Sequence, residues 1–240
     1  MKMLSTIVSE SIAGFREMLF PEVCICCGSP THADGNLMCP FCQDSAFDKA
    51  MPPSAKSCKG VILPNGIGFQ FALWRYDKGG SLQKMMRMVK YGGMGRLGFE
   101  MGVIAGYSLK NSVILHQLEQ HLDQIVLLPV PLHPKKKRYR GYNQAHLIAL
   151  GLAEVTGFPI LSEDTVVRHK FTATQTGHSL AGRMSNLVEA FKVQNPMDLK
   201  DRLIIIVDDV FTTGATCFAL SEVIKPVGIQ SVGIVTIAMA

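Results

Sequence analysis

The chain reads as an α/β protein: a parallel sheet flanked by helices, with a small cysteine-rich unit at its N-terminal end. Three observations predict this. The run Leu203 to Val207 is aliphatic without alternation, as an interior strand covered on both faces should be. A second such run, Ile125 to Leu132, is brought to an end by Pro129 and Pro131, which cannot continue a central strand. Six of the seven cysteines fall between Cys24 and Cys58, apart from both strands.

Size and charge bound the possibilities. A chain of 240 residues can bury one good core plus an appendage. With 48% apolar and 18% charged residues it is a folded protein, not a disordered one. The net charge of +5 is modest but unevenly placed. No apolar run approaches the length of a membrane span. Residues 1–20 carry Leu4, Ile7, Val8, Ile12, Phe15, Leu19 and Phe20, interrupted by Glu10, Arg16 and Glu17. That spacing predicts an amphipathic helix rather than a signal peptide, hence a cytoplasmic protein.

The cysteine-rich unit is expected over 21–60. Cys24-x-x-Cys27 and Cys39-x-x-Cys42 are two knuckle-shaped pairs, and four thiolates so spaced complete the tetrahedral set that Zn²⁺ prefers. Disulfides are the competing reading, but nothing marks the chain as secreted. Cys26 is an extra thiol in the first knuckle, His32 a lesser candidate, and Cys217 a small core residue. A site closed by four sulfurs is structural, not catalytic.

Pro52, Pro53, Gly60, Pro64, Gly66 and Gly68 mark a linker. Phe69 to Tyr76 then alternates like a strand. Leu82 to Tyr91 predicts a helix with Met85, Met86 and Val89 inward and Lys84, Arg87 and Lys90 outward. Further helices are expected from the glycine-rich stretch 92–98 through Leu109, and from Asn111 to Gln124.

Behind the Ile125 strand come Lys135, Lys136, Lys137, Arg138 and Arg140, read as a strand-to-helix loop, before a helix from Gly141 through Leu152. A charge run is often a plain solvated surface. At the ligand edge of a sheet it also suits a diphosphate or a nucleic-acid backbone. After the Leu203 strand stand Asp208 and Asp209, then Thr212, Thr213, Gly214, Ala215 and Thr216. An ordinary connection with an aspartate cap would explain little of this, because paired acids after a buried strand are costly unless something binds them. The hydroxyls and backbone N–H groups at the next helix start form a phosphate cradle, and the acids lie where an attached sugar presents vicinal hydroxyls. A ribose 5-phosphate fits both halves. The remainder reads as a helix ending near Pro226 and a strand from Ser231 to Ala238.

The segment Ile204 to Thr216 resembles the phosphoribosyl diphosphate (PRPP) signature of type I phosphoribosyltransferases. Pro129-Val130-Pro131-Leu132-His133-Pro134, Arg140-Gly141-Tyr142-Asn143-Gln144, and Thr174-Gln175-Thr176 with Arg183, Asn186, Ala190 and Phe191 resemble the ComF family of competence proteins. The resemblance implies a zinc-ribbon-like unit joined to a phosphoribosyltransferase-like domain over 69–240, with a role in DNA uptake for natural transformation. It implies that Asp208 and Asp209 hold the ribose, directly or through Mg²⁺-bound water, while the loop 212–216 holds the 5-phosphate. The cations of 135–140, Arg140 above all, would receive the diphosphate. The stretch 168–183, with Gln175 and Arg183, would be a lid. His133 and His178 could touch ligand, with no acid–base role assigned. Many members carry a third cysteine pair about where Cys58 stands, but the place three positions on is Val61, so Cys58 is either free or a replacement for one of the four. Implied partners are PRPP, single-stranded DNA and a competence helicase. The alternative to an enzyme is a non-catalytic adaptor that retains the PRPP pocket.

Overall fold

The computed structural model describes residues 23–31, 36–52, 54–170 and 187–240. The helix expected over 1–20, and Gln175, His178 and Arg183, lie outside them. The chain divides into two compact units, 1–47 and 48–240.

In the first unit a bridge between Val23 and Pro30 closes the first cysteine knuckle. Helix α1 (Pro40–Ser45) carries Cys42, with Cys39 at its N-cap and Pro40 in its first turn, where a missing N–H costs nothing.

The second unit is built on a four-stranded sheet in the order β1-β6-β5-β2, every pair parallel. The strands are β1 (Ile67–Arg75), β2 (Ile125–Pro129), β5 (Leu203–Phe211) and β6 (Ser231–Met239). Ile160 adds a single parallel bridge to Leu127 at the β2 edge. In β5 the five residues from Leu203 to Val207 are all buried, as the unbroken aliphatic run requires. β1 departs from its alternating pattern: positions 69–74 are buried on both faces. Gln70 is tolerated there because its side-chain oxygen accepts from the Cys58 N–H at 3.0 Å.

Helices α2 (Ser81–Tyr91), α3 (Gly95–Lys110), α4 (Val113–Gln117), α5 (Pro134–Arg140), α6 (Gln144–Thr156) and α7 (Ala215–Ile224) accompany the sheet. The single helix expected over Asn111 to Gln124 is broken into α4 and a 3₁₀ turn, Glu119–Gln124. α3 and α6 meet backbone to backbone: a Cβ on Gly102 would lie 2.1 Å from the Ile148 carbonyl oxygen, and one on Gly151 would lie 2.0 Å from that of Phe99. The sequence pattern did not suggest a short antiparallel ribbon of β3 (Val166–Arg168) and β4 (Phe191–Val193); β3 ends where the expected lid begins, and β4 follows Arg183 by eight positions.

Candidate functional site

The pairing of β2 with β5 stops at Val207, so Asp208 and Asp209 project from β5 just past the end of one neighbouring strand. The Asp209 N–H donates to Asp208 Oδ1 at 2.8 Å. Asp209 is 5% exposed and its Oδ2 lies 2.7 Å from Lys90 Nζ. This corrects the outward placement of Lys90: α2 ends against the acids, and the Tyr142 hydroxyl donating to the Val89 carbonyl at 2.5 Å fixes that end. Burial pulls the Lys90 ammonium pKa down, but the adjacent charges of Asp209 and Asp208 outweigh it and the net shift is upward. Burial, then the Asp209 charge, push the Asp208 carboxyl up to about 7.

The basic run is not the loop that was expected. Pro134 occupies the first turn of α5, and His133 caps it by accepting the Lys135 N–H on Nδ1 at 3.2 Å. Gly141, in the left-handed region at φ 84°, ends it. The helix sorts its cations by face. The Lys136 ammonium is pulled down by burial and then by the charges of Arg168, Arg140 and Lys90, so these four cations lie near one another. Arg140 donates to Gln144 Oε1 at 2.7 Å and stacks over Tyr91, 5.1 Å from the ring centre. Arg168, on β3, is depressed by burial against an opposing contribution from Asp208. Lys137 instead pairs with Glu163, and Lys137, Arg138 and Arg168 line a cavity of about 550 Å³ between α5 and β3. Thus Lys136 and Arg140 lie near Lys90, which itself pairs with Asp209, whereas Lys137 pairs with Glu163. The structure adds Lys90 and Arg168, which sequence reasoning did not single out as site residues. Position 90 follows buried Met86 by one helical turn, a signal that was available.

The loop after β5 turns through Gly214, at φ 73°, into α7. A Cβ there would lie 2.6 Å from Phe211 and 2.7 Å from Phe218, so both backbone and space demand glycine. Asp208 and residues 210–217 line a concavity of about 40 Å³ at the N-terminus of α7, where free N–H groups favour an anion. Thr213 Oγ1 accepts from the Ala215 N–H at 3.4 Å. Cys217 is buried in α7, its thiol raised by burial and then by both acids.

Asp208 carries a stability consequence. Its folded pKa lies above the ordinary 3.8, so the folded state holds the proton more tightly than the unfolded state. Stability from this group therefore rises as pH falls from about 7 toward 4, and ionisation costs stability above that window. Asp208→Asn, neutral throughout, is expected to be about 2 kcal/mol more stable than the parent at pH 8 and equal to it near pH 4. Urea unfolding at the two pH values checks this; a variant less stable than the parent at pH 8 contradicts it.

Within the first unit the sulfurs of Cys24, Cys27, Cys39 and Cys42 all lie within 4.8 Å of one another. The Cys27–Cys39 separation of 3.7 Å matches the edge, about 3.8 Å, of a tetrahedron of sulfurs around zinc. The Cys39 N–H donates to Cys24 Sγ at 3.3 Å, which orients that sulfur. These four sulfurs could hold one metal ion. Cys58 belongs to the second unit, where it is buried.

No helix among the described residues is long and apolar enough to cross a membrane. No family model matches the chain. It is 35% identical over 115 residues to Competence protein F of Haemophilus influenzae, covering 48% of this chain and 50% of that protein. It is 27% identical over 215 residues to DNA utilization protein YhgH of Escherichia coli, covering 88% and 87%. Over 93 residues it is 31% identical to Competence protein ComFC of Bacillus subtilis, covering 38% and 34%. The match thus spans about half the length of the Haemophilus protein and most of the Escherichia one. Homologues named Competence protein F, ComFC and YhgH, at 27–36% identity, support the resemblance to the ComF family.

Proposed function

We propose that this protein binds PRPP, accompanied by Mg²⁺, at the C-terminal edge of its parallel sheet and transfers the phosphoribosyl group. The observation that carries this reading is the adjacency of three unlike parts. An acid pair, Asp208 and Asp209, stands between an anion-binding helix start at Gly214 and a wall of Lys90, Lys136, Arg140 and Arg168. A bare anion needs no carboxylates and a bare sugar needs no cations; a sugar with phosphate at each end needs both. In this reading the ribose hydroxyls donate to the acids, the 5-phosphate sits on residues 212–216, and the diphosphate faces the cations. An acceptor bonds to C1 as the bond from C1 to the diphosphate oxygen breaks, the electron pair leaving on that oxygen. The cation wall stabilises the growing negative charge, so catalysis is placement and electrostatics. The four cysteines hold a structural Zn²⁺, which closes its coordination with sulfur and leaves no open position.

The names of the relatives support a role in DNA uptake for competence. One observation favours the adaptor reading beside the enzymatic one. Tyr139 is 81% exposed on α5, the helix that carries the basic run, a stacking surface amid charge that suits single-stranded DNA. Such an adaptor would work beside a competence helicase.

Calorimetric titration with PRPP and Mg²⁺ tests the reading. The parent is expected to bind, and the Asp208→Asn/Asp209→Asn variant to bind at least about a hundredfold more weakly, the worth of two lost hydrogen bonds to charged groups. A parent that does not bind sinks the proposal.

A further inference from the structure

Lys90 is placed for more than ending a helix. It lies in the last turn of α2, where a cation ordinarily reaches into water beside the terminal carbonyls. Its side chain is instead 25% exposed and reaches across to Asp209, itself nearly buried, at 2.7 Å. Both its sequence neighbours are held: the Val89 carbonyl accepts from the Tyr142 hydroxyl at 2.5 Å, and the Tyr91 ring lies under Arg140. The ammonium therefore enters the site from an anchored backbone.

That position creates a conflict on one oxygen. If a sugar is to bind at the acids, its hydroxyl must donate to the carboxylate that Lys90 now occupies. Burying two carboxylates with no cation is costly, so the pair needs a counter-ion in the free protein. The incoming ligand also delivers a diphosphate to the wall formed by Lys136, Arg140, Arg168 and Lys90. Lysine suits an exchange of partners, because it is a point charge on a flexible four-carbon stem with three rotatable donors.

Resting on the PRPP reading above, we propose that Lys90 is an exchangeable counter-ion and positioning residue. It neutralises Asp209 in the free protein, and it turns to the diphosphate when ribose hydroxyls take its place on the carboxylate. Asp209 and Lys90 thus act in opposition on the two halves of the ligand: each, when removed, weakens one half's binding and frees the other group.

Calorimetry with three probes, inorganic diphosphate, ribose 5-phosphate and PRPP, each with Mg²⁺, tests this on the full chain. Lys90→Met is expected to bind diphosphate about tenfold more weakly and ribose 5-phosphate as tightly as the parent or tighter. Asp209→Asn is expected to do the reverse, binding diphosphate about threefold more tightly and ribose 5-phosphate at least about tenfold more weakly. Lys90→Arg is expected to restore diphosphate binding. A merely structural lysine would weaken both probes together. If the parent binds PRPP and Lys90→Met matches it on all three probes, or loses both halves alike, the inference is overturned and the PRPP reading stands. Should Lys90→Met not fold, a weaker grip of Asp209→Asn on diphosphate overturns it equally. A parent that binds none of the three overturns both.

Discussion

Gly151→Ala is expected to destabilise the second unit by at least about 3 kcal/mol, a large share of the roughly 5–15 kcal/mol that holds a domain together. Helix propensity alone argues the opposite sign, since alanine is better than glycine inside a helix by about 1 kcal/mol. Packing wins because of what the methyl would meet. Its carbon would stand 2.0 Å from the Phe99 carbonyl oxygen and 2.7 Å from the Val103 nitrogen, both backbone atoms of α3 that cannot swing aside. Gly102 faces Ile148 in the same way, so α3 and α6 must separate along the whole contact. Denaturant unfolding measures the loss, and a variant as stable as the parent would show that the helices are not in backbone contact.

Removing the metal proposed for the first unit is the other large effect. Its described buried side chains are few, chiefly Met38 with Cys24 and Cys42, far short of a self-sufficient core. Four thiolates around zinc supply folding free energy on the order of 10 kcal/mol, so binding and folding of this unit are one event. Chelation, or Cys39→Ser, is expected to abolish amide protection over 23–47 while leaving that of the sheet unchanged, read by hydrogen exchange. Protection that survives metal removal at 23–47 would mean that the cysteines are not its scaffold.

The parts of this protein legible in its sequence are those where one physical demand acts locally. An unbroken aliphatic run buries a strand on both faces, and β5 follows directly. Two C-x-x-C pairs bring four sulfurs together because each knuckle is self-contained. Gly214 announces its turn because only glycine fits both its conformation and its space. What stayed hidden depends on distant partners. β1 looked half-exposed because Gln70 gives no hint that a Cys58 N–H will satisfy it. The basic run looked like a loop because helix formation there turns on a histidine cap and a proline start, local cues that five cations obscured. Lys90 looked solvent-facing because its partner lies over a hundred positions along the chain. The ribbon of β3 and β4 is three residues a side, too short for any period to show.

Acid pair, phosphate loop and cation wall are proposed to form one site for a phosphoribosyl ligand. Phosphorus NMR of PRPP with Mg²⁺ and the parent protein addresses this most directly, since the 5-phosphate and the diphosphate give separate resonances. Both ends are expected to shift on binding, and Asp208→Asn/Asp209→Asn is expected to abolish both shifts together. A shift of the diphosphate alone, persisting in that variant, would reduce the site to a basic patch that catches polyanions and would contradict the account.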